Sequence, residues 1–231
     1  MNTFVTIPHR FDAVICLNGT IPSDEVFEHI MERPLIAADG AATQLFERGI
    51  IPEFIVGDLD SIRTDVRETL MTMSEFVHQP DQETNDFEKA LAFAESMLWK
   101  NLLVVGIHGG DLEHTLNNWS VLMRYGRTMH IAVIDQQRIA IPMFEIFAYE
   151  GAEHEIISLI PQPTARITTR GLHWALNDEH LALGSREGAR NRATHPRIEV
   201  ELHDGAILFF CDAALPNAPH VREAASAADN D

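Results

Sequence analysis

Positive charge is in short supply in this chain. Its 231 residues carry 17 lysines and arginines against 35 aspartates and glutamates, a formal charge of −18. A surface so acidic repels nucleic-acid phosphates, which disfavours a general DNA- or RNA-binding role. An anionic ligand needs a local exception here, either a divalent cation or converging backbone N–H groups. Cysteine is scarcer still. Cys16 and Cys211 each sit inside an apolar run that reads as a strand, which suits two buried thiols in a reducing compartment better than a disulfide scaffold. No apolar run approaches the roughly 18 residues of a membrane span, and the first residues show neither the basic nor the apolar segment of a signal peptide. The expectation is a soluble, cytoplasmic protein with no membrane or nucleic-acid partner. Neither GxxxxGK followed by Ser or Thr, nor GxGxxG in the right context, occurs, so P-loop and dinucleotide-binding readings lack support.

What is present is an ordinary apolar content of 45%, distributed in two styles. Short aliphatic runs (Ala13–Leu17, Leu35–Ala38, Glu53–Val56, Leu102–Ile107, Met129–Ile134) alternate with helical patterns at 24–32, 40–48 and 86–98. In the last, Phe87, Ala90, Leu91, Ala94 and Leu98 recur at spacings of three and four, with Glu88, Lys89 and Glu95 on other faces. Such alternation predicts an α/β domain over 1–140, a mostly parallel sheet with helices on both faces. From Phe144 onward short β-branched or alternating runs (144–149, 155–160, 165–169, 198–202, 206–211) are punctuated by Pro and Gly, and Asp204-Gly205 reads as a hairpin turn. This predicts a C-terminal antiparallel β-sandwich over 141–212. The Ala-, Asn- and Asp-rich stretch 213–231 reads as a disordered tail.

Four polar sites fall where strands of the first domain end, the position at which open α/β sheets bind ligands. Asp39 follows the strand Leu35–Ala38. Asp58 and Asp60 follow Glu53–Val56; two residues apart in extended chain, they point the same way and repel unless a cation or proton lies between them. Residues 81–86 (Asp-Gln-Glu-Thr-Asn-Asp) open the clearest helix with more polar groups than one cap requires. Gly109-Gly110 follows Leu102–Ile107, with free N–H groups at a helix start. Each has a structural reading too: Asp39 and Asp60 as helix caps, Asp86 as a carboxylate favoured at a helix N-terminus, the glycines as a tight turn. His108 and His114 could join Glu113 as metal ligands, or be structural. Together, carboxylates at three strand ends point to oxygen-ligated Mg²⁺ more than to zinc.

In order, these motifs resemble the thiamine pyrophosphokinase family. Its ADGG-like, GDxDS, DQDxTDF-like and GGxxDH elements correspond to ADGA at 38–41, GDLDS at 57–61, DQETNDFEKAL at 81–91 and GGDLEHTLNN at 109–118; its GLxW and LGS…SN elements correspond to Gly171–Trp174 and to Leu183-Gly184-Ser185 with Asn191. Leu17-Asn18 matches the family's opening LN. The resemblance implies a homodimeric, Mg²⁺-dependent enzyme that transfers pyrophosphate from ATP to the hydroxyl of thiamine, releasing AMP. It implies Asp58, Asp60 and Asp86 as catalytic metal-binding aspartates. Asn18, Asp39, Gln82, Thr84, Gly109 and Gly110 would surround ATP, and Glu113, Trp174, Ser185, Arg190 and Asn191 the acceptor. The first domain would bind ATP and Mg²⁺, the second the acceptor and the partner subunit.

Departures from the family pattern concentrate on the acceptor side. GGRFDH becomes Gly-Gly-Asp-Leu-Glu-His, placing Asp111 for a basic residue and Glu113 for an aspartate. SxSN becomes Gly188-Ala189-Arg190-Asn191, and Thr43 and Gln44 stand for Asn and Arg. Two alternatives to thiamine phosphorylation therefore stay open: a same-fold enzyme acting on another heteroaromatic alcohol such as a pterin, and a non-catalytic nucleotide-binding homologue.

Overall fold

Aliphatic runs flanked by turn residues form a parallel sheet within Phe11–Gln136, one of two units into which the chain divides; the other comprises Gln137 onward with the segment before Phe11. The computed structural model describes residues 4–224. Strand β1 (Phe4–Thr6) belongs to the second unit. In the first follow β2 (Ala13–Cys16), α1 (Asp24–Ile30), β3 (Leu35–Ala38), α2 (Ala41–Glu47), β4 (Phe54–Gly57), α3 (Thr64–Leu70), β5 (Glu75–His78), α4 (Asp86–Ser96), β6 (Asn101–Val105), α5 (Leu112–Tyr125) and β7 (His130–Asp135).

These six strands pair in the order β5-β4-β3-β2-β6-β7, every ladder parallel, with Ile15 opposite Ile36 on one side and Val104 on the other. All four residues of β2 and of β4 are buried, so both faces of the central strands are covered, as a parallel sheet demands. Helix α4 is fixed to β4 by Phe54, Phe93 and Trp99, whose ring centroids lie 5.0, 5.8 and 6.3 Å apart. Each such aromatic pair contributes about 0.5–1.5 kcal/mol beyond its burial. That cluster sets where the first turn of α4, with Asp86, faces. The strand β5 and helix α3 escape the sequence reading: β5 is a half-exposed edge without an apolar run, and α3 buries only Val66 and Leu70. Lys89, read from periodicity as lying off the apolar face of the helix, is buried.

The second unit contains β8 (Arg138–Met143), β9 (Phe147–Glu150), β10 (Ile156–Arg170), β11 (Glu179–Ala182), β12 (Gly188–Arg192), β13 (Arg197–Asp212) and β14 (His220–Ala224). All its ladders are antiparallel. Two long strands, β10 and β13, pair with each other; β13 also joins β9 through its first half and β8 through its second. Three sequence expectations are corrected here. Asp204-Gly205 is not a hairpin turn: it lies inside β13, paired with Arg166 and Ala165 of β10, between two register shifts that fall at Arg166/Ile167 and Pro161/Ala165. Gly205 adopts φ +82°, and a Cβ there would stand 2.1 Å from the Thr164 carbonyl oxygen; the turn-like dipeptide serves a bend and a close backbone approach instead. The tail expected from residue 213 is ordered as far as it is described, because β14 pairs with β9 and β1; residues 225–231 of that expectation lie outside the described residues. The boundary falls at residue 136 rather than 140, and residues before Phe11 join the second unit because β1 completes its sheet.

Cys16 and Cys211 are free and buried, and burial pushes both thiols up to about 12. Among the described residues no helix is long and apolar enough to cross a membrane.

Candidate active site

Strand order in the parallel sheet reverses beside β2: the chain steps outward through β3, β4 and β5, then returns to place β6 on the other flank. At such a switch point the loops after adjacent strands diverge and leave a crevice beyond the carboxyl ends. Here those loops carry Asn18 after β2, Asp39 after β3, Asp58 and Asp60 after β4, and Gly109-Gly110 after β6. A cavity of about 340 Å³ opens among them, its lining including Asn18, Ser61, Asn85, Asp86, Asp111 and His114.

Asp39, Asp58 and Asp60 bring one carboxylate oxygen each within 4.8 Å of one another. Asp58 and Asp60 converge because Leu59 between them turns into the core at φ +68°. Asp39 is 1% exposed. Its Oδ2 accepts the Ser61 N–H at 3.3 Å, while its Oδ1 is buried with no partner. Burial, then the neighbouring Asp86 and Asp58 charges, push its carboxyl up to about 6, against the relief given by Ser61. An acceptor-only oxygen orphaned among carboxylates is stable when a cation satisfies it. The donor set, all oxygen and all hard, fits Mg²⁺. Asp39 thus exceeds its reading as a cap: α2 is preceded by Gly40, and no side chain caps it.

Asp86, expected with Asp58 and Asp60, is not among the three converging oxygens but is linked to Asp58 through a shared ammonium. It is the first residue of α4, and its Oδ1 turns to Lys89 Nζ, one helical turn on, at 3.3 Å; the same ammonium lies 3.7 Å from Asp58 Oδ2. Lys89 is 3% exposed. Burial raises the Asp86 carboxyl, and Lys89 opposes that rise. Asp58 is held below the usual carboxylate range, first by a hydrogen bond from Gln82 Nε2 at 3.0 Å. Gln82 thus braces the Asp58 carboxylate. The Thr84 hydroxyl donates to Asp81 Oδ2 at 2.6 Å. Lys89 was missed because a lone lysine in an amphipathic helix signals nothing; its spacing of three from Asp86 was the one available clue.

Around the cavity, Asn18 accepts a 2.6 Å hydrogen bond from Gln44 Nε2, so the glutamine that stands in the family's arginine position braces the β2 loop. Asn85 caps α4 by accepting the Glu88 N–H at 2.9 Å and donates to Asn118 Oδ1 at 3.2 Å; Asn118 in turn donates to the Ile107 carbonyl. This chain ties the start of α4 to the middle of α5 and to the loop that follows β6. Gly109 adopts φ +107°, and a Cβ there would meet Thr20 Oγ1 at 2.3 Å, so only glycine permits the turn. Asp111 precedes α5 without a side-chain cap bond. Glu113 is exposed on the first turn of α5 and is absent from the cavity lining, which Asp111 and His114 join. His108 pairs with Asp135 at 3.0 Å, and among the described residues the histidines form no ligand cluster with Glu113.

In the second unit, Trp174 is 61% exposed rather than part of a core. The Asn191 side chain accepts the Trp174 N–H at 3.1 Å and donates to the Trp174 carbonyl at 2.8 Å; it holds the segment that displays the indole. Arg190 is exposed at φ +56°, its N–H bonded to Ser158 Oγ. Ser185 is exposed in the turn between β11 and β12.

Comparison with known proteins agrees with this architecture. Residues 28–134 match the model of the thiamin pyrophosphokinase catalytic domain, and residues 144–207 that of the thiamin pyrophosphokinase vitamin B1 binding domain. The chain is 31% identical over 183 residues to thiamine pyrophosphokinase of Bacillus subtilis, covering 76% of this chain and 85% of that one. It is 27% identical to thiamine pyrophosphokinase 1 of Arabidopsis thaliana, covering 82% of each. The crystal structure of yeast thiamin pyrophosphokinase superposes with a TM-score of 0.74 at 16% identity, over 88% of this chain and 86% of that one; the Candida albicans enzyme gives 0.73 at 18%, over 88% and 90%. These structures share the mixed, sheet-dominated α/β fold. On its sequence matches, the chain belongs to the thiamine pyrophosphokinase family of diphosphotransferase enzymes.

Proposed function

We propose that this protein is a Mg²⁺-dependent enzyme that transfers the pyrophosphate group of ATP to the hydroxyl of thiamine, yielding thiamine diphosphate and AMP. The observation that carries the reading is the Asp39–Asp58–Asp60 cluster with its orphaned buried oxygen, set at strand ends beside the switch-point cavity. Asp39, Asp58 and Asp60 would hold the ion, with Asp86 facing the same cavity across Lys89. When bound, Mg²⁺ neutralises the charge that builds on the transferring phosphates. The chain's own part is positioning. The uncapped start of α5 and the Gly109-Gly110 turn present N–H groups to phosphate oxygens. Gln82 orients Asp58, and Gln44 orients Asn18. The second unit serves acceptor binding and homodimer formation, for which the exposed Trp174 offers an aromatic face. The reaction belongs to the cytoplasm.

A second reading keeps the donor chemistry and changes the acceptor. It is favoured by Asp111 in the cavity wall and by exposed Arg190, a cation where the family pattern has serine. An AMP-release assay with ATP, Mg²⁺ and a panel of alcohols separates the readings. Thiamine-dependent AMP supports the first, a clear preference for a pterin or another alcohol replaces it with the second, and ATP binding without AMP from any acceptor leaves a non-catalytic homologue.

A further inference from the structure

Lys89 has a use beyond the pairing that keeps it folded. Its ammonium is almost fully removed from water, a strongly unfavourable placement unless carboxylates replace its hydration. The two that do so come from different elements, Asp58 from the end of β4 and Asp86 from the start of α4. Helix α4 cannot swing away, since Phe87, Ala90, Leu91 and Ala94 are buried and Phe93 stacks on Phe54. The positive charge is thus fixed against Asp58, one of the three carboxylates that converge with an orphaned oxygen. Any divalent ion entering that cluster meets a cation already in place, and Coulomb repulsion at these distances is large outside bulk water.

We propose that Lys89 is a positioning residue and a resident counter-cation: it holds Asp58 and Asp86 in place and keeps the cluster's affinity for a bare divalent ion low. The ion is then admitted together with phosphates, whose negative charge offsets the ammonium. The inference rests on the metal-dependent reading above, and its test separates the two.

Mn²⁺ is titrated calorimetrically into nucleotide-free wild type and into Lys89→Met and Lys89→Gln, each below its own melting transition. Both neutral variants bind Mn²⁺ about tenfold more tightly than wild type, yet turn over ATP and thiamine at least about tenfold more slowly. A lysine that merely filled space would leave Mn²⁺ affinity unmoved. Unchanged or weaker Mn²⁺ binding by folded neutral variants overturns the inference while the metal-dependent reading stands. Wild type that takes up no Mn²⁺, with or without ATP, removes that reading and the inference with it.

Discussion

Asp39 holds a carboxyl group where water cannot reach it, between two other carboxylates. In the unfolded chain it titrates near 3.8; in the fold it is pushed up to about 6. Between those values the folded chain binds the additional proton, so Asp39's contribution to stability is greatest below the window and is lost as pH rises through it. Integrated, that fall amounts to about 3 kcal/mol. Asp39→Asn removes it: in metal-free buffer, denaturant titrations at pH 4 and pH 7 should show a smaller pH-dependent loss in the variant than in wild type. Equal losses would mean that the carboxyl is not strained by its neighbours. Trp174 predicts the opposite kind of behaviour. Because it is exposed, Trp174→Ala should leave stability within about 0.5 kcal/mol, while the KM for the acceptor rises about threefold to tenfold, the worth of an aromatic stacking contact. A melting temperature that drops with KM unchanged would make it a structural residue.

Elements show why some of this was legible in the sequence and some was not. Asp58 and Asp60 could be read as a pair from their spacing of two, although the structure brings them together through the left-handed turn at Leu59, φ +68°, and not through extended alternation. The parallel sheet followed from aliphatic runs spaced by helical periods. Asp39 looked like a cap because a single aspartate before a helix is ambiguous; its membership of the cluster depends on β3 lying next to β4, a pairing no local pattern records. Apart from its spacing of three from Asp86, Lys89 gave no signal for the same reason, its other partner, Asp58 just after β4, being 31 positions away in the chain. Asp204-Gly205 misled because the same positive-φ glycine serves turn and bulge alike, and the choice lies with β10. Gly205→Ala tests that last account. With strain at φ +82° and a Cβ 2.1 Å from the Thr164 carbonyl oxygen, it should destabilise the protein by more than about 1 kcal/mol in denaturant melts. A surface-like loss of a few tenths would argue for a flexible turn.

At the scale of the molecule, a formal charge of −18 opposes any anionic nucleotide, and in the proposed reaction a divalent ion gathered at the strand ends of one unit offsets that repulsion. AMP formation from ATP and thiamine across a Mg²⁺ titration, in wild type and in Asp58→Asn and Asp60→Asn, tests this most directly. No AMP should form without Mg²⁺, AMP formation in wild type should rise saturably with Mg²⁺, and both variants should lose at least about a hundredfold with their melting curves intact. Full wild-type activity in folded Asp58→Asn and Asp60→Asn, or AMP formation indifferent to Mg²⁺, would contradict this role of the ion.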